Sequence, residues 1–151
     1  MRILIDADGC PVTEQTVKIA EEYHIEVIIF CDTSHIFNFE NVKIITVDKG
    51  SDSADFALVN EAEEKDLVIT QDYGLSAMAL SKKCIVLNQN GRIIDGKNID
   101  TLLSARHISK KARMRGKHLK GPKKRNNSQN AEFEKSLRRI LNENLNCTGQ
   151  L

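Results

Sequence analysis

The strongest constraint on the fold is a regular alternation of short Ile- and Val-rich runs with stretches of helical periodicity. Runs at 2–6 (RILID), 26–31 (EVIIFC), 42–47 (VKIITV), 66–70 (DLVIT) and 84–87 (CIVL) are dominated by apolar residues and bounded by polar turns. A strand with one wet face alternates apolar and polar residues, so near-continuous apolar runs predict strands buried on both faces. Between them, 10–23, 53–64 and 73–82 read as helices. In the first, which Cys10-Pro11 would open, Val12, Thr16, Ile19, Ala20 and Tyr23 recur at 3.6-residue spacing. Strands joined by helices need crossover connections, which predicts an α/β fold: a mostly parallel central sheet with helices on both faces. A chain of 151 residues suits one domain, with 1–97 as its core and 98–151 as a basic helical extension.

After Leu87 the pattern changes. Residues 88–96 (NQNGRIIDG) read as a turn or short hairpin, and 99–114 as a helix turning Ile99, Leu102, Leu103 and Ile108 to the core. Residues 115–130, rich in Lys, Arg, Asn, Gly and Ser, read as a mobile linker before a last helix over 129–144 with Phe133, Leu137, Ile140 and Leu141 on one face. Charge is segregated along the chain. Residues 1–105 carry a net −9, 106–125 a net +10, and 126–151 none. A basic strip on an acidic body fits a polyanion, and Lys110, Lys111, Arg113, Arg115, Lys117, Lys120, Lys123, Lys124 and Arg125 are its candidate contacts to a nucleic-acid backbone. The alternative is a solvated tail. Cys10, Cys31, Cys84 and Cys147 are scattered without a C-x-x-C pair, which argues for a reduced cytoplasmic setting and against structural zinc. No run approaches the roughly 20 apolar residues of a membrane span, so no membrane partner is expected.

Ligands of parallel sheets collect outside the carboxyl ends of the strands, and the acids fall there. Asp6 and Asp8 close the first strand, Asp72 follows the fourth, and Asp52 and Asp55 open the helix after the third. Two carboxylates about 4 Å apart repel by roughly 4 kcal/mol at an effective dielectric of 20. A gathering of several therefore calls for a cation, and hard oxygen donors suit Mg²⁺ or Mn²⁺. Helix capping explains some of them equally well: Asp72 precedes the helix at Tyr73, and Asp52 with Asp55 has capping-box spacing. It does not explain Asp6, which ends a buried run, or Asp8 beside the turn-forming Gly9. Cys10 has no neighbouring base in sequence, and His35 follows the second strand as a candidate phosphate contact. His24, His107 and His118 lack acids at metal-ligand spacing.

Five motifs in order, LIDADGCPV, GSDSAD, DLVITQDYGLSAMAL, VLNQNGRIID and a late GPKK before an F-x-x-x-L helix, span residue 3 to about 141. By these the chain resembles the YaiI/YqxD family of bacterial proteins, itself similar to the PIN-like superfamily of Mg²⁺- or Mn²⁺-dependent ribonucleases. The resemblance implies a PIN-like three-layer fold and a nuclease acting on single-stranded RNA. It implies Asp6 and Asp72 as the acids at the two strand ends, with Asp8, Asp52 and Asp55 from the family's own motifs completing the metal set. Asp6, Asp55, Asp72 and Thr70 would then be catalytic, Thr70 positioning a water or phosphate oxygen. Two departures stand out: Gly9 where relatives often read DADACPV, and GPKKRNNSQNAEF where a GPKPFS-type sequence is usual. D-A-D-G-C also resembles the D-x-D-G-T opening of haloacid-dehalogenase-type phosphatases, with Cys10 in place of the threonine and no later D-D or D-x-x-x-D motif. A third reading is a non-catalytic RNA-binding module.

Overall fold

The computed structural model describes residues 1–50, 52–117 and 123–147. Lys120 and the Gly121-Pro122 stretch lie outside them. The element order is β1 (Ile3–Asp6), α1 (Thr13–Glu22), β2 (Val27–Asp32), β3 (Lys43–Val47), α2 (Ser53–Glu61), β4 (Leu67–Ile69), α3 (Tyr73–Ser81), β5 (Ile85–Leu87), β6 (Ile93–Ile94), α4 (Ile99–Met114) and α5 (Asn127–Cys147). The six strands form one sheet in the order β3-β2-β1-β4-β5-β6, parallel except for β6. The chain runs outward from β1 to β3, returns to β4 beside β1, then runs outward the other way. Strand order thus reverses between β1 and β4, with Ile3 in register with both Val27 and Leu67.

Successive side chains point to opposite faces of a strand, so each central strand feeds two cores. One core joins Ile3, Ile5, Ile29 and Ile69 to Ile19 and Ala20 of α1 and to Phe133, Leu137, Ile140 and Leu141 of α5. The other joins Leu4, Ile28, Phe30 and Val68 to Leu58 of α2, Leu75 and Ala79 of α3 and Ile99 of α4. The result is the three-layer α/β arrangement that the PIN-like resemblance implies.

Several local expectations are corrected. The helix expected from Cys10-Pro11 begins at Thr13, because 10–12 form a turn after Gly9, which takes φ +73°. Ile108 does not face the core; it is 67% exposed. It lies nine residues beyond Ile99, about half a turn out of phase at 100° per residue. The last helix begins within the expected linker, at Asn127. Asn126 Oδ1 accepts from Gln129 N–H at 3.2 Å and Gln129 Oε1 accepts from Asn126 N–H at 2.9 Å, a reciprocal capping pair.

The β5–β6 turn meets the start of α5 closely. Asn88 Oδ1 accepts from the N–H groups of Asn90 and Arg92, and the Arg125 guanidinium donates to Asn90 Oδ1 and to the Gln89 carbonyl. Gly91, at φ +83°, would carry a Cβ only 2.6 Å from the Glu132 carbonyl oxygen. Two substitutions test whether α5 is part of the core. Phe133→Ala removes a fully buried ring and should cost about 3–5 kcal/mol in urea unfolding. Gly91→Ala should cost about 2 kcal/mol or more through backbone strain and the clash. Losses below about 1 kcal/mol for both would show α5 to be dispensable.

Candidate functional site

Outside the carboxyl ends of β1, β2 and β4 lies a cleft of about 600 Å³, lined by Asp6, Asp8, Asp32, Asp52, Asp55 and Asp72 with Gly9, Gly50, Ser53, Ala54, Gln71, Tyr73 and Arg106. All five acids singled out in the sequence reach it. It opens where strand order reverses, the usual place for a ligand in such sheets.

Thr70 holds the centre together. It is 1% exposed, its hydroxyl donates to Asp6 Oδ2 at 2.8 Å, and the same oxygen accepts from Asp72 N–H at 3.0 Å. Thr70 thus ties the Asp6 carboxylate to the Asp72 backbone, and its hydroxyl oxygen keeps one acceptor lone pair. Asp72 does cap α3, its Oδ1 accepting from Leu75 N–H at 3.1 Å, while facing the cleft and lying 3.6 Å from Arg106 Nη1. Capping and site readings hold together there. Asp52 sits at the start of α2 with φ 64° and makes no side-chain capping hydrogen bond, so the expected capping box with Asp55 is not formed.

Two further residues belong to the cleft region that the motif reading did not place there as ligands. Asp32 ends β2, and His35 lies in the segment that follows. His35 Nδ1 is 2.9 Å from Asp8 Oδ1 and 3.4 Å from Asp32 Oδ1, and Asp8 Oδ1 accepts from Asp32 N–H at 3.3 Å. The ligand atoms of Asp8, Asp32 and His35 all lie within 4.8 Å of one another, the only such trio of potential metal ligands among the described residues. Asp6, Asp52, Asp55 and Asp72 line the same cleft without that close spacing. The rule that placed Asp6 and Asp72 applies equally to Asp32; ending the second strand at Cys31 hid it.

The charges interact. Asp6 is pushed up to about 7, first by burial and then by Asp55, Asp8 and Asp72, against the opposing Thr70 bond. Asp55 is pushed up to about 6 by burial and by Asp72, Asp52 and Asp8. Asp32 is held below the usual carboxylate range, chiefly by the Ser34 hydroxyl and N–H donating to it, with a smaller contribution from His35. Burial pushes the Cys10 thiol up, the wrong direction for a nucleophile. Crowded carboxylates that raise one another's pKa, with hard oxygen donors and one imidazole, fit Mg²⁺ or Mn²⁺.

The basic strip divides. Lys110, Lys111 and Arg113 are exposed on α4, and Arg115 and Lys117 are exposed just beyond it. Lys123 and Lys124 are exposed before α5. Arg125 spends its donors on Asn90, Gln89 and Asn130.

A three-layer α/β domain with an acidic cleft at its switch point defines the class. A family model described as "Uncharacterized BCR, YaiI/YqxD family" matches residues 4–143, and the chain belongs to that family. It is 47% identical over 143 residues to a UPF0178 protein of Exiguobacterium sibiricum, covering 95% of this chain and 98% of that one. It is 46% identical to a UPF0178 protein of Lachnoclostridium phytofermentans (93% and 97% covered) and 47% identical to one of Ruminiclostridium cellulolyticum (91% and 90%). No solved structure matches significantly. No helix among the described residues is long and apolar enough to cross a membrane.

The raised pKa of Asp6 has a consequence for the metal-free protein. Its folded value near 7 exceeds the ordinary value of 3.8, so the folded state holds a proton that the unfolded chain releases. The stabilising contribution is complete below pH 4 and is lost as pH rises through 7. Asp6→Asn should therefore leave stability nearly unchanged at pH 4 and raise it by about 1–3 kcal/mol at pH 8, at about 1.4 kcal/mol per pKa unit. Urea unfolding in EDTA at the two pH values checks this; an equal effect at both would mean that Asp6 is not perturbed.

Proposed function

We propose that the protein is a metal-dependent nuclease hydrolysing phosphodiester bonds of single-stranded RNA. One observation carries the reading: six carboxylates line one cleft at the switch point of the sheet, and two of them have pKa values raised by burial and, to a lesser degree, by their neighbours. Asp66, by contrast, is paired with Arg2 at 2.7 Å on the opposite edge of the same sheet. The cation set of this cleft is much poorer than its acid set.

Asp6, Asp8, Asp52, Asp55 and Asp72 would hold Mg²⁺ or Mn²⁺, joined by Asp32 and His35. Bound there, the ion lowers the pKa of water and steadies charge developing on a phosphodiester. The chain's own residues do the rest. Thr70 fixes the Asp6 carboxylate and the Asp72 backbone relative to each other, so the two acids keep their geometry when the metal-free repulsion is removed. The exposed basic residues of α4 draw the polyanion toward a body that would otherwise repel it.

Wild-type protein with Mn²⁺ should cleave a labelled single-stranded RNA, with EDTA abolishing cleavage and Asp6→Asn lowering the rate by about 100-fold or more while the fold persists. Tight RNA binding with no metal-dependent cleavage would replace this reading with the binding module. Turnover of a small phosphate ester with a trapped phospho-aspartate at Asp6 would replace it with the phosphatase.

A further inference from the structure

α4 changes character along its length, from buried at its start to exposed. Ile99 is buried and Leu102 and Leu103 pack partly against the second core, next to α3. At 100° per residue the same face continues as Arg106, Lys110 and Arg113, which fall within about 60° of one another. All three are exposed. Arg106 is the junction: it lines the acidic cleft, lies 3.6 Å from Asp72 Oδ1 and keeps 60% of its side chain in solvent. It is the one Lys or Arg among the described residues that line the cleft. From there Lys110 and Arg113 extend the row by about 10 Å, at 1.5 Å per residue. Lys111 points about 100° from its neighbour Lys110 and about 130° from the middle of this row, and Arg115, the cap just beyond the helix, lies on the side opposite the row.

We propose that this single face of α4 is a phosphate track for single-stranded RNA. Arg106 holds the phosphodiester next to the cleft, and Lys110 and Arg113 hold the phosphates leading away from it. The track depends on the nuclease reading only for what happens in the cleft, and its own test is binding. A guanidinium suits the junction because its planar fork can hold a phosphate while leaving Asp72 to other partners, and it cannot lose its charge. Lys111 and Arg115 contribute only to the general field.

The test compares variants of equal charge. Binding of a fluorescein-labelled 12-nucleotide oligouridylate is followed by anisotropy in EDTA over a NaCl series. Lys110→Ala with Arg113→Ala should flatten the log K against log salt slope by about 1.4, taking roughly 0.7 per single-strand contact. Lys111→Ala with Arg115→Ala removes the same charge and should change the slope by less than about 0.3. Equal flattening by both pairs, or no binding by the wild type at low salt, overturns the track. Arg106→Ala should weaken RNA binding by about 5- to 30-fold, yet tighten calorimetric Mn²⁺ binding by about 2- to 5-fold because a competing cation has left Asp72. Loss of Mn²⁺ affinity, or unchanged RNA affinity, would make Arg106 a support for Asp72 and overturn its role. Failure of the wild type to take up Mn²⁺, with the slopes as expected, would sink the nuclease reading and leave the track standing.

Discussion

Repulsion among the carboxylates gathered outside β1, β2 and β4 is the constraint around which the rest of the structure is arranged. Parallel strands end at one edge, and the acids at their ends are brought within electrostatic reach by the register of β1 with its two neighbours. The opposite edge shows how this fold treats an acid it needs only for stability: Asp66 is buried and bonded through both oxygens to Arg2, whose guanidinium also reaches Glu61 at 2.9 Å. At the carboxyl edge the cations among the described residues are fewer than the acids: Arg106 lies 3.6 Å from Asp72, and the His35 imidazole 2.9 Å from Asp8. Asp6 and Asp55 carry the cost as raised pKa values, and the hydrophobic layers on either side hold them in place despite it.

The layers explain why the cost is tolerated. β1, β2 and β4 are buried on both faces, with α1 and α5 over one and α2, α3 and α4 over the other. Burial of this extent contributes far more than the repulsion removes. α5 shares its face with α1 and is pinned to the β5–β6 turn through Arg125 and Gly91. α4 ties the cleft to the basic part of the chain, its first turns buried and its later turns exposed.

Much of this was legible in the sequence, and the exceptions have physical reasons. Continuous Ile- and Val-rich runs marked every parallel strand, and Asp6, Asp8, Asp52, Asp55 and Asp72 were found because strand ends can be located from hydrophobic pattern. Asp32 was missed since the apolar run stops one residue earlier, at Cys31, while backbone pairing with β3 continues through Asp32 opposite Val47. His35 was seen only as a possible phosphate contact; its neighbours Asp8 and Asp32 come from a different strand end and the end of its own strand, which pattern alone does not join. Ile108 was misplaced by counting apolar residues without tracking phase. The two bonds by which buried Thr70 joins the Asp6 carboxylate to the Asp72 backbone are properties of packing and are not written in the pattern.

The most direct measurement is the titration of the Asp6 carboxyl by carbon NMR, with and without saturating Mg²⁺. Without the ion its midpoint should lie near 7, the signature of burial among like charges. With Mg²⁺ the midpoint should fall by about 2 units or more, since a cation favours the charged form that its neighbours disfavour. A midpoint near 4 without Mg²⁺, or one near 7 that the ion does not move, would contradict the account.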